Sequence, residues 1–349
     1  MEYLKAKEVE VIPFILETEK SILVKVIQFI VSLFSTVPFS VRIRSKNKQS
    51  VKEMCLKETP DWIICDGIHR SLNIPFDIKG KKILYEHNIE SEIAGRYARL
   101  EKNVLKKAFA YLEYVKFKLL QKKIWVKFDL CIACSDLDKK VIQNIAGKDR
   151  VITVNNGVDL EYFTPQDTPV EPNTLAYTGQ IGWHPNEDAL IYFVKEIIPL
   201  VKKQAPDLKL WVVGANPSAK IKDLAQKDNQ IAITGFVDDV RTYIAKAAVF
   251  IVPLRIGSGT RIKILEALSM KKAVISTSVG CEGLEVRDNE HLLIRDNPIE
   301  FAQGIIDLLK DENLRLRLGQ NGRRLVEDKY NWKTVFRGID KMIAGFKSP

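Results

Sequence analysis

The sequence is poor in the residues that hold small or metal-bound scaffolds together. Its 349 residues include only five cysteines and four histidines, and the Cys-x-x-Cys pair Cys131 and Cys134 has no second pair or histidine set nearby. No metal site is expected. An odd cysteine count with no recognisable secretory leader points to a reducing compartment, so a cytoplasmic protein is expected. Low-complexity tracts and repeats of solenoid length are also lacking, which excludes fibres and repeat arrays. Long uncharged apolar runs are nearly absent. The one candidate, Ser21 to Val41, contains Lys25, Gln28 and Pro38, so it reads as a buried or membrane-lying helix rather than a span.

What is present is globular usage, 46% hydrophobic and 28% charged, over a length suited to about two domains. The chain carries 54 basic and 44 acidic residues, of which 28 and 19 fall in residues 1–150. The positive excess therefore belongs to the first half and favours anionic surfaces. Ten Lys and Arg lie between Arg96 and Lys127, and Arg42, Arg44, Lys46 and Lys48 follow the apolar run. This pattern is expected to rest on the inner face of a membrane. A solvated basic surface is the plainer alternative. Nucleic acid is disfavoured because no recognised module or patterned set of aromatics accompanies the charge.

From residue 60 onward, short apolar runs alternate with helical periodicity, the pattern of parallel strands covered by helices. Expected strands are Trp62 to Cys65, Lys82 to Tyr85, Leu130 to Ala133 and Val151 to Val154. One long helix or a helical hairpin is expected through Tyr97, Val104, Tyr111 and Leu119. A proline-rich stretch, Thr164 to Asn173, reads as a linker. A second series follows, with strands at Leu175 to Tyr177, Lys209 to Val213, Ile231 to Ile233, Val249 to Pro253 and Ala273 to Thr277. The fold class is α/β, with two doubly wound Rossmann-like domains facing across a cleft, where open parallel sheets hold their ligands.

The densest chemistry lies in Pro253 to Leu268, PLRIGSGTRIKILEAL. A strand enters a glycine turn and then a helix, so backbone N–H groups at Gly257, Ser258, Gly259 and Thr260 can receive phosphate oxygens. Arg261 and Lys263 add cations, and Glu266 offers a carboxylate to a ribose diol. A tight turn with a surface ion pair is the plainer reading. Gly179 and Gly182 permit a bend after the first strand of the second domain, with Asn186 as a helix cap. Gly235, Phe236 and Val237 end another strand and can face a base, while Asp238 or Asp239 caps the next helix. In the first domain His87 ends a strand at the cleft edge, although a lone histidine is more often structural. Cys131 and Cys134 share an apolar strand and read as packing.

These segments together resemble family-4 retaining glycosyltransferases of the GT-B fold, in the bacterial form that carries PLRIGSGTRIKILEAL. The likeness extends to Gly182-Trp183-His184-Pro185-Asn186, Thr234 to Asp239, Glu282-Gly283-Leu284, Asn155 to Asp159 and Tyr85 to Glu90. It implies metal-independent transfer of a sugar from a UDP- or GDP-linked donor to a saccharide or lipid-linked acceptor, with no cofactor, in surface polysaccharide or glycolipid assembly. It implies that Arg261, Lys263 and the Ser258 to Thr260 turn hold the diphosphate, that Glu266 holds the ribose, that Phe236 and Val237 meet the base, and that His87 lies near the donor sugar. Two features depart from the family. Ser258 stands where a sugar-contacting glutamate is common, and the Gln180 to Asn186 loop lacks the usual Arg and Lys. Val9 to Phe14 resembles the second strand of such a fold, so the N-terminal domain is expected to be incomplete. Expected domains are an acceptor-side domain (1–168), a donor-binding domain (169–332) and a returning C-terminal helix (333–349). A nucleotide-sugar epimerase of the same architecture and a non-catalytic binding remnant are the alternatives.

Overall fold

The computed structural model describes residues 29–337. The expected strand at Val9 to Phe14, the first part of the Ser21 to Val41 segment and the end of the C-terminal helix lie outside the described residues.

The first lobe begins with a short helical stretch at residues 29–33, then α1 (Phe39–Arg44) and α2 (Lys48–Glu58). Strands β1 (Trp62–Asp66) and β2 (Lys81–Glu86) follow, then helices α3 (Glu90–Leu100) and α4 (Val104–Trp125). The lobe closes with β3 (Leu130–Ala133), α5 (Asp136–Ala146) and β4 (Val151–Thr153). The four strands are parallel and pair in chain order. The expected helical hairpin is realised as α3 and α4. The break comes where the Asn103 side chain accepts the N–H groups of Leu105 and Lys106, starting a new helix. The core gathers Leu84, Phe117, Ile124, Phe128 and Cys131 between the sheet and α4.

The second lobe holds β5 (Glu171–Thr178), α6 (His184–Tyr192), α7 (Ile198–Lys202) and β6 (Lys209–Val213). It continues through α8 (Ala219–Lys227), β7 (Ile231–Gly235), α9 (Arg241–Lys246), β8 (Ala247–Val252) and α10 (Ile262–Ser269). It ends with β9 (Val274–Ser276), β10 (Leu293–Ile294), α11 (Pro298–Lys310) and α12 (Glu312–Lys329). Between α6 and α7 the helix is interrupted by a π turn at Phe193–Ile197. Pro199 lacks the N–H that would continue the ladder, which accounts for the widened turn.

This sheet is also parallel, in the order β10-β9-β8-β5-β6-β7. Alternation along β5 sends Leu175 and Tyr177 to one core and Ala176 to the other. The strand order reverses between β5 and β8, the point at which open parallel sheets hold their ligands. Val158, Leu160 and Phe163 already pack in the second lobe's core. Val158 also bridges to Asn331, and the Trp332 ring lies against Gly157. The chain thus joins the second core ahead of the proline-rich stretch.

Candidate functional site

The loops after β5 and β8 carry most of the expected binding residues. The β8 loop runs through Gly257, Ser258, Gly259 and Thr260 to Arg261, the N-cap of α10. The helix opens at Ile262. Gly259 has φ +72°, and a Cβ there would lie 2.0 Å from the His87 carbonyl oxygen. Only glycine lets the two lobes approach this closely.

The turn lies at the seam between the lobes and is buried there. The Ile89 N–H donates to Ser258 Oγ at 2.8 Å, and that hydroxyl lies 3.5 Å from Asp138 Oδ1. Asn156 Nδ2 donates to Thr260 Oγ1 at 2.6 Å. Arg96 Nη1 donates to the Gly257 carbonyl and joins Nη2 in a two-pronged grip on Glu282, at 2.6 and 2.7 Å. Ser258, placed by resemblance at a sugar-contacting position, therefore has its side chain tied to α3 and α5.

The cations lie on the inner side of this turn. Arg261 is 6% exposed, and its Nη1 donates to the Ser258 carbonyl. Its Nε and Nη2 are buried without a partner, a costly state for a guanidinium unless an anion arrives. Loss of hydration pulls its pKa down to about 10, with Arg96 adding like-charge repulsion. Lys263 Nζ sits 4.0 Å above the Tyr177 ring and 3.2 Å from Asn186 Oδ1. A Cβ at Gly179, whose φ is +143°, would lie 2.8 Å from the same nitrogen. Desolvation and the charge of Arg261 lower the Lys263 pKa to about 7. Glu266 is three residues along α10 and half-buried. Burial raises its pKa, and the opposite charge of Lys263 offsets part of that shift.

Gly182 packs under the Asn216 carbonyl, closing the β5 loop against the β6 loop. Asn186 does not cap the helix as expected. Its side chain is buried, accepting from Tyr177 OH at 2.5 Å and from Lys263 while donating to the Gln180 carbonyl at 2.8 Å. It therefore positions Lys263. His184 meets the Tyr97 ring edge to face, with centroids 4.3 Å apart. Gly235 adopts φ +72° with open space around it, and Phe236 beside it is 77% exposed. Val237 follows on the same loop, partly buried. Asp239 accepts the Arg241 backbone N–H at 2.9 Å and pairs with its guanidinium, although the N-cap of α9 is Val240, which has no side-chain cap, rather than either aspartate.

In the first lobe, His87 Nε2 contacts Asp66 Oδ1, and the ring meets Tyr85 edge to face. Asp66, Arg96 and Asp138 were not singled out by the sequence, and Glu282 had a motif but no role. Glu86 lies directly behind His87, buried, and accepts hydrogen bonds from Trp125 Nε1 and the Ile68 N–H. Desolvation pushes its pKa up to about 8. Cys131 and Cys134 are buried free thiols. Among the described residues, no group of three or more His, Cys, Asp or Glu side chains is gathered to hold a metal ion.

Residues 172–311 match the family described as "Glycosyl transferases group 1". The chain is 26% identical over 328 residues to an uncharacterized 44.6 kDa protein in the cps region of Klebsiella pneumoniae, covering 89% of this chain and 81% of that one. It is 24% identical over 263 residues to the capsular polysaccharide biosynthesis glycosyltransferase CapM of Staphylococcus aureus, covering 69% of this chain and 67% of CapM. Among solved structures, sucrose-phosphate synthase of Thermosynechococcus elongatus superposes with a TM-score of 0.71 at 18% identity, covering 88% and 78% of the two chains. Anabaena HepE in complex with UDP-glucose superposes with a TM-score of 0.69 at 12% identity, covering 99% and 88%. The chain therefore has the two-lobed GT-B fold, and residues 172–311 in its second lobe match the group 1 glycosyltransferases.

Proposed function

We propose that this protein transfers a sugar, with retained anomeric configuration, from a nucleotide-diphosphate sugar to an acceptor hydroxyl in the assembly of surface polysaccharide or glycolipid. The observation that carries the proposal is the pair of cations at the crevice between the β5 and β8 loops: Arg261 with two buried, unpartnered N–H groups and Lys263 beside Gly179. Fixed cations facing a departing diphosphate stabilise the charge that builds on it, without a metal ion. Glu266, half-buried on the next turn of α10, takes the ribose diol, and the Gly235-Phe236-Val237 lip takes the base. His87 faces the transferred sugar from the other lobe. Retention fits a site in which the leaving phosphate assists the incoming hydroxyl, because the carboxylate nearest the turn, Asp138, is buried and bonded to Ser135 Oγ at 2.6 Å.

HepE with bound UDP-glucose and the capsular role in the name of CapM support the donor and acceptor classes. A panel of UDP- and GDP-sugars tested by thermal shift identifies the donor, because a ligand held only by the folded chain raises its melting temperature. Glu266→Ala is expected to weaken the selected donor by about 10- to 100-fold while leaving the unliganded melting temperature nearly unchanged. No stabilisation by any nucleotide sugar would overturn the reading.

A further inference from the structure

The long helix α4 is apolar on two sides but packed on one. Ala110, Phe117, Leu120 and Ile124 face the core. At 100° per residue, Val104, Ala108, Tyr111, Val115 and Leu119 fall on the opposite side. Val104 is 78% exposed and Leu105 82%, with Tyr111 and Leu119 also exposed. Residues 29–34 extend this surface. The Phe29 ring packs tilted against Phe109, with centroids 4.9 Å apart, and Lys116 Nζ donates to the Ser32 carbonyl at 2.7 Å, which fixes the segment beside α4. Ile30, Val31, Leu33 and Phe34 are exposed there, Phe34 by 88%.

The exposed charges of this segment have one sign. Lys102 just before α4, and Lys106, Lys107, Lys118, Lys122 and Lys123 along it, are exposed, and the only acidic residue from 102 to 128, Glu113, is buried and paired with Lys116 at 3.0 Å. We infer that the outer face of α4, with residues 29–34, is an interfacial surface that docks on an anionic lipid bilayer, its apolar side chains entering the headgroup boundary and its lysines meeting lipid phosphates. A second copy of the chain fits poorly, because it would set these lysines against each other. Among the described residues no helix is long and apolar enough to cross a membrane, so the helix lies along the surface. The eleven residues of α3 run from the His87 loop to this face, a distance of about 16 Å. Docking would thus bring the cleft close to a lipid-linked acceptor.

The test is co-sedimentation of the full chain with vesicles of phosphatidylcholine, with and without phosphatidylglycerol. Binding is expected to be at least about tenfold tighter with phosphatidylglycerol, and to weaken about tenfold or more in Leu105→Glu and in Lys122→Glu/Lys123→Glu. Leu105→Glu places a carboxylate in the first turn of a helix, where the dipole favours it, so its melting temperature is expected to be unchanged. Equal binding to both vesicles, binding unaffected by either variant, or a dimer on size exclusion that Leu105→Glu dissociates would each overturn the assignment. None of these readouts depends on glycosyl transfer.

Discussion

Arg96 and Glu282, 186 residues apart, form a two-pronged ion pair across the seam of the lobes while Arg96 also holds the Gly257 carbonyl. One arginine on α3 thereby ties the first lobe to the turn that opens α10. The Glu282 hydrogen bonds, opposed by partial burial, raise the pKa of Arg96, as expected for a guanidinium that stays charged in its pair. The same guanidinium thus joins the lobes and holds the turn.

Removing the arginine should loosen both. Arg96→Ala leaves the Glu282 carboxylate partly buried and unpaired, and is expected to cost about 1–3 kcal/mol of stability. Donor affinity should fall with it. Glu282→Gln keeps the shape and one acceptor, so it should cost less. Thermal melting and calorimetric titration with the donor check both. An unchanged melting temperature and affinity in Arg96→Ala would remove the link between seam and turn.

Lys263 should make donor binding pH-dependent. Its pKa is lowered from 10.5 to about 7 in the folded chain, so between those values the unfolded chain holds a proton that the folded one has released. Stability therefore rises as pH climbs from about 7 towards 10. Affinity for an anion moves the other way, because the charged form is lost over the same range. A nucleotide sugar, whose diphosphate has no proton to lose here, should bind up to about fivefold more weakly at pH 8 than at pH 7. Lys263→Met should bind weakly at both. Affinity flat across pH in the parent protein would mean that the ammonium does not face the ligand.

His87 and Asp66 are expected to act on turnover rather than on nucleotide binding, since both lie in the first lobe, away from Lys263 and Glu266. His87→Ala should reduce transfer by about 100-fold and leave the dissociation constant of the bare nucleotide unchanged. Asp66→Asn, which removes the charge beside the ring, should reduce transfer less. Steady-state rates with parallel calorimetry separate the two effects, and full activity in His87→Ala would take the ring out of the site.

The sheet was readable where burial on both faces makes a strand a continuous apolar run. Leu130–Ala133 and Lys209–Val213 have the bounds that their residues suggest. The cation cluster was readable too, because Arg261 and Lys263 lie within one turn of the glycines that expose the backbone. Contacts across the seam were not. Nothing local to Arg96 or Glu282 marks either as a partner, and only the packing of the lobes brings them together. Asn186 shows the limit of local rules in another way. Its position at the start of a helix suggests a cap, yet the Tyr177 hydroxyl and Lys263 engage its carbonyl oxygen instead.

Ser258 offers the sharpest test of how far the family pattern governs this chain. Restoring a carboxylate by Ser258→Glu should impair the protein rather than improve it. The hydroxyl is 2% exposed, accepts the Ile89 N–H and faces Asp138, whose pKa is already raised by burial and by the charge of Glu282. A longer, charged side chain there would force the seam apart and set like charges in a dry site, at an expected cost of about 2–4 kcal/mol. Ser258→Ala removes the acceptor of a buried N–H and should cost about 1–3 kcal/mol. Melting curves of the two variants decide the matter. If Ser258→Glu melts at or above the parent temperature and binds donor more tightly, the serine is a replaceable relic of the sugar-contacting position and not a fastening between the lobes.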